Sequence, residues 1–94
     1  MTTLTTDPTA APGQTAAVVV YSKPACVQCD ATKRWLTKRG IEYTAVDVSQ
    51  DATAREHVTG ELKHSRVPVV VVSRGGETYH WSGFDPDLLA QHLA

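Results

Sequence analysis

The sequence lacks an excess of either charge, a long apolar run and any cysteine beyond one close pair. Nine Lys and Arg stand against ten Asp and Glu, a net charge of −1 over 94 residues. So even a balance supplies no field for nucleic acid or an anionic membrane surface, and neither partner is expected. No apolar stretch approaches the roughly 20 residues that a membrane helix requires. The N-terminal segment MTTLTTDPTAAPGQTAA has neither the basic start nor the apolar block of a secretory signal. The expected compartment is therefore the cytoplasm, where reductants keep structural disulfides from persisting. No internal repeat or second domain is visible. Length and an apolar content of 41% fit one ordinary domain with a modest core.

Residues 1–16 are rich in Thr, Ala, Pro and Gly, with Asp7 the only charged side chain. Such a segment buries too little apolar surface to offset its ordering entropy and is expected to be a flexible extension. The domain, 17–94, opens on AAVVVY, a short β-branched run that predicts a buried strand over 17–21. A helix is predicted over 27–39, with Ala31, Trp35 and Leu36 on its buried side and Lys38 and Arg39 at the cation-favouring end. Gly40 fits a left-handed stop, with Ile41 closing back on Leu36.

EYTAVDV predicts a second strand. Ser49 or Asp51 then caps a helix carrying Ala54, Val58 and Leu62, which Thr59-Gly60 weakens near its end. VPVVVV and ETYHW, separated by RGG, form a hairpin. Asp85-Pro86-Asp87 opens a last helix with Leu88, Leu89 and Leu93. The order is β-α-β-α-β-β-α with a four-stranded mixed sheet. A strand followed by C-x-x-C at a helix start, within this α/β order, points to a thioredoxin/glutaredoxin-like fold.

The pair Cys26 and Cys29 in SKPACVQCD admits three readings. Structural zinc wants four ligands, and His57, His64, His80 and His92 are scattered, so no metal is expected. A bridge enclosing two residues removes little unfolded-state entropy, which disfavours a staple. Redox work has a mechanical basis. Residues three apart on a helix lie about 5–6 Å apart at Cβ, and slight tightening brings them to bonding range. Unpaired N–H groups at the helix start favour a Cys26 thiolate, while Cys29 lies one turn deeper. Cys26 is expected to attack and Cys29 to resolve. The rise in thiolate population is partly offset by lower intrinsic nucleophilicity, so positioning carries much of the selectivity. Lys23, three residues earlier, either reinforces the positive environment or is an ordinary solvated lysine.

A second constellation is SRVPVV. Proline donates nothing to a strand ladder. A cis Val67-Pro68 bond at a strand edge would leave the Val67 backbone open to an extended substrate; a trans proline at a strand entrance is the ordinary alternative.

Cys-Val-Gln-Cys with Ala31-Thr32-Lys33-Arg34, Gly40-Ile41-Glu42-Tyr43, Val67-Pro68-Val69-Val70 and Trp81-Ser82-Gly83-Phe84 resembles the NrdH-type redoxins, glutaredoxin-like proteins of the thioredoxin superfamily. The resemblance covers nearly everything after the N-terminal segment. It implies a monomeric dithiol protein-disulfide reductase without a bound cofactor, its working group being the Cys26–Cys29 disulfide. NADPH would enter only through thioredoxin reductase, and electrons would pass to the large subunit of class Ib ribonucleotide reductase. On this pattern Cys26 is the nucleophile, Cys29 the resolving thiol and Pro68 the cis proline. Lys23, Val27, Gln28 and Val67 fall on the partner side. Trp81, Ser82, Gly83 and Phe84 replace part of a glutathione site, with Trp81 and Phe84 expected to form an apolar partner surface.

The chain departs from the family pattern at Lys63 and His64, where Gly-Tyr is common, at Asp85, which replaces an Arg, and at Arg66. These positions bear on the choice of partner and leave the dithiol chemistry untouched. The alternatives are a glutathione-coupled dithiol glutaredoxin and a non-enzymatic metal-binding module of the same fold.

Overall fold

The run AAVVVYS has no polar alternation, the pattern of a strand covered on both faces. In the computed structural model, which describes residues 16–93, it forms β1 (Ala16–Ser22) in the interior of a four-stranded sheet ordered β2-β1-β3-β4. The expected extension over 1–16 lies, up to its last residue, outside the described residues; Ala16 already belongs to β1. β2 (Thr44–Asp47) runs parallel to β1, in register from Val19 opposite Thr44 to Ser22 opposite Asp47. β3 (Val69–Arg74) pairs antiparallel with the other side of β1 and with β4 (Glu77–Ser82). Gly75 and Gly76 join β3 to β4 with φ of 61° and 81°. Two consecutive positive φ values are what a tight hairpin of right-twisted strands needs, and glycine adopts them without a Cβ clash.

Helices cover both faces. α1 (Val27–Lys38) and α3 (Pro86–Leu93) pack on one side, where Val18, Val20, Val70, Val72 and Trp81 meet Leu36 and Leu89. On the other side Val58 packs with Val48 and Val69. The α1 stripe is Cys29, Thr32 and Leu36, with Trp35 half-buried beside it. Its end follows the expected closure: Ile41 N–H donates to the Leu36 carbonyl at 3.0 Å and Gly40 N–H to that of Thr37 at 3.1 Å. Gly40 has φ 69°, so both trailing carbonyls are satisfied by a glycine-dependent turn.

The second helix differs from expectation. α2 is short, Ala52–Glu56, capped by the Asp51 carboxylate, and widens into a π-helical turn over His57–Glu61. There Leu62 N–H reaches the His57 carbonyl at 3.0 Å, five residues back. Gly60, a poor α-helix former, lies inside this turn. β3 begins at Val69, two residues after the expected start, because cis Val67-Pro68 precedes the ladder. The β-α-β-α-β-β-α order, the mixed sheet and the covering of both faces make this a thioredoxin/glutaredoxin-like fold.

Candidate active site

β1 ends at Ser22, and the chain crosses Lys23-Pro24-Ala25 to reach α1. Ala25 has φ 55°, in the left-handed region, which turns the next residue into the cap position. Cys26 is that cap, extended at φ −119° and ψ 106°, and its Sγ accepts the Cys29 N–H at 3.1 Å. A helix cap is normally an oxygen acceptor such as Ser or Asp; here sulfur takes the place. Cys26 and Cys29 are joined as a disulfide with Cα atoms 5.2 Å apart, inside the span a bridge accommodates. Cys29 is fully buried and Cys26 half-buried. The two sulfurs therefore differ in access, and the exposed one faces the N–H end of the helix, where an anion is favoured. Beneath them the buried Thr32 hydroxyl donates to the Gln28 carbonyl at 2.9 Å, so no polar atom of that side chain is left unpaired.

Two other segments are stitched to this helix start. Val67-Pro68 is cis, with Pro68 buried and Val67 half-buried at the site. The Pro68 carbonyl accepts the Gly83 N–H at 2.8 Å. The Arg66 carbonyl accepts the Ser82 hydroxyl at 3.0 Å. The Gln28 side-chain oxygen accepts the Phe84 N–H at 3.1 Å. Gln28, from the middle of C-V-Q-C, thus ties the cysteine helix to the W-S-G-F segment, and Gly83 ties that segment to the cis proline.

A groove of about 740 Å³ opens beside Cys26. Of the expected partner-side residues, Lys23, Val27, Gln28, Val67, Ser82 and Gly83 line it, and Pro68 is buried. Val27 is 84% exposed, the large apolar side chain left open to solvent among the described residues. Trp81 requires a correction. It pairs with Val70 across β3 and β4, and the strand alternation sends both into the core under α1 and α3. Its ring stacks on His92, centroids 5.6 Å apart, and its indole N–H is buried without a partner among the described residues. Phe84 packs against the same core rather than lining the groove. Trp81 is therefore withdrawn from any partner surface, Phe84 is half-buried, and the fully exposed apolar side chain is Val27.

Other groove residues carry no local motif. Arg55, Val58 and Thr59 arrive from α2 and the π-helical turn, and only the folding of that element over β1 and β3 brings them near Cys26. The departures from the family pattern find places. Arg66 and His64 line the groove. Lys63 stands at φ 63°, where the pattern's glycine is at ease. Asp85 caps α3, accepting the Leu88 N–H at 3.0 Å. His64 Nε2 is 2.8 Å from His80 Nδ1, and burial followed by the neighbouring His80 pushes the His64 imidazole below its usual range. Among the described residues no group of three or more His, Cys, Asp or Glu side chains gathers to hold a metal ion, and no helix is long and apolar enough to cross a membrane.

The geometry is matched by known proteins. The glutaredoxin family model matches residues 18–77. The Escherichia coli K12 glutaredoxin-like protein NrdH is 32% identical over 72 residues, 77% of this chain and 83% of that protein. The gene 56 protein of mycobacteriophage L5 is 39% identical over 74 residues, 79% of this chain and 69% of its own. Among solved structures, NrdH-redoxin from Escherichia coli, described as a glutaredoxin-like protein with a thioredoxin-like activity profile, superposes with a TM-score of 0.68 at 31% identity. That match covers 83% of this chain and 96% of the other. With its glutaredoxin fold and its paired cysteines at the head of α1, the chain belongs to the glutaredoxin family as an NrdH-type redoxin, a group of thiol–disulfide oxidoreductases.

Proposed function

We propose that this redoxin is a monomeric cytoplasmic electron carrier, reduced by NADPH-dependent thioredoxin reductase and donating to the large subunit of class Ib ribonucleotide reductase. The observation that carries the reading is the unequal pair: half-exposed Cys26 at the cap of α1, bonded to fully buried Cys29. In the reduced protein the Cys26 thiolate attacks one sulfur of a client disulfide. That S–S bond breaks, the released client sulfur takes a proton, and a mixed disulfide forms on Cys26. Cys29, as a thiolate, then attacks the Cys26 sulfur and displaces the second client thiol. Two electrons have left the dithiol, and Cys26–Cys29 is again a disulfide. Burial of Cys29 keeps it from external disulfides while leaving it one helical turn from its only target. The client chain lies along Val67, which lines the groove beside Cys26.

Thioredoxin reductase as the donor is supported by likeness to the Escherichia coli protein with its thioredoxin-like activity profile. One observation favours a second reading, a glutathione-coupled glutaredoxin: Lys23, Arg55 and Arg66 stand at the groove, and glutathione carries two carboxylates. Feeding the oxidised protein NADPH with thioredoxin reductase, or NADPH with glutathione and its reductase, separates the two. Efficient turnover with thioredoxin reductase is expected; efficient turnover only with glutathione contradicts the proposal.

A further inference from the structure

The groove beside Cys26 carries charge of one sign. Lys23 from the loop after β1, Arg55 from α2 and Arg66 ahead of the cis proline line it, and no Asp or Glu does. The chain as a whole is at −1, so its charge is segregated. Glu56 and Glu61 border a different recess, against Tyr21. Asp47, Asp51 and Asp85 are each held by a nearby backbone N–H. Two other cations are engaged: the Arg39 guanidinium sits 3.8 Å over the Trp35 ring, and Arg74 donates to the His92 carbonyl at 2.8 Å. Lys23, Arg55 and Arg66 have no salt bridge among the described residues. Lys23 also borders a smaller recess containing Asp30 and Asp47, so its charge is shared. Arg55 and Arg66 carry the argument.

Cations of one sign along a groove raise the local concentration of anions and speed their encounter. They come here from separate elements, and exposed Val27 adds an apolar side chain to the same groove. That arrangement suits a length of chain better than a small anion. Resting on the disulfide-reductase reading above, we propose that the client segment is an extended acidic one, its disulfide flanked by Asp or Glu, with Arg55 and Arg66 as the residues that select it.

The test uses three disulfide-bridged peptides identical except at the flanking positions, filled with Asp, Gln or Lys. Second-order rate constants with the reduced full-length protein are divided by those of the same peptides with dithiothreitol, which removes the effect of flanking charge on the sulfur itself. Exposed ion pairs change an equilibrium or rate by about 1.4-fold to fivefold each. Two of them predict that the Asp peptide exceeds the Gln peptide by about twofold to thirtyfold at low salt, with Lys slowest. The differences collapse near 1 M salt, where the Debye length is about 3 Å. The double variant Arg55→Glu/Arg66→Glu, at exposed positions, reverses the order. Equal corrected rates, a Lys preference, an order unchanged in the double variant, or glutathione disulfide outrunning the Asp peptide each overturns the proposal. Reduction of the Gln peptide reports the parent function separately. If it proceeds, such a failure touches only the charge preference; if none of the peptides is reduced, the parent reading falls and this one with it.

Discussion

At Gly83 the backbone stands at φ 91°, and a Cβ built there would lie 3.3 Å from the Gln28 side-chain oxygen. That oxygen is the acceptor for Phe84 N–H, so a methyl group would press on the bond joining the cysteine helix to the W-S-G-F segment. Left-handed backbone costs a non-glycine residue about 1–3 kcal/mol. Gly83→Ala is expected to lose stability in that range by urea unfolding and to slow disulfide reduction, since the groove wall shifts with Gln28. Lys63 is the opposite case: at φ 63° it already bears such strain, and Lys63→Gly is expected to be neutral or to stabilise by up to about 1 kcal/mol, glycine's extra unfolded-state entropy offsetting part of the relief. A loss of stability in Lys63→Gly would show that the Lys63 side chain makes a contribution its backbone angle does not reveal. Ala25 and Lys63 illustrate what a sequence conceals at this scale. Neither residue type signals a positive φ, and both angles are imposed by the elements on either side.

Among the elements, ends were easier to read than interiors. Gly40 after Lys38-Arg39 marks the close of α1, because the left-handed stop is a local property of glycine, and the Leu36–Ile41 closure is local too. The hairpin at Gly75-Gly76 is legible for the same reason. The π-helical turn is not. Ala54, Val58 and Leu62 recur every four residues, a spacing that an α-helix meets and that a short helix widening at Gly60 also meets once the sheet is present to receive Val58. Trp81 misled in another way: the strand ETYHW already includes it, yet the resemblance assigned it to a partner surface, whereas its parity in β4 faces the core. α3 depends on its cap. Asp85→Ala removes the acceptor for the Leu88 N–H and is expected to cost about 0.5–2 kcal/mol. Because α3 carries Leu89 into the core that holds Trp81, the loss should appear in the global unfolding midpoint followed by tryptophan fluorescence. An unchanged midpoint would mean that Pro86 and packing hold the helix without the cap.

For the molecule as a whole, the sheet's two covered faces make a frame on which loops from four places converge, and its stability has a defined pH dependence. His64 is depressed by burial and by His80, so folding favours its neutral form. That contribution is complete above the ordinary value of 6.5 and is lost as the pH falls below it toward the lowered folded value. Asp47, lowered chiefly by the Ser49 hydroxyl, adds a second loss at more acid pH, below its ordinary 3.8. Urea midpoints should therefore decline from pH 7 to 5, and less so in His64→Asn; an equal decline in the variant would remove His64 as a cause. The cysteine pair and the fold were readable because C-x-x-C at a helix start and a β-α-β-α-β-β-α order are local patterns. The groove's far wall was not, since Arg55 and Thr59 reach it only through tertiary packing. The proposed electron transfer to a client protein rests on the unequal access of the two sulfurs, and one measurement addresses it: mass spectrometry of Cys29→Ser and Cys26→Ser after mixing each, reduced, with a disulfide client. A stable client adduct on Cys26 in the first variant and none in the second is the expected result. An adduct on Cys29, or none on either, would contradict the division of labour between them.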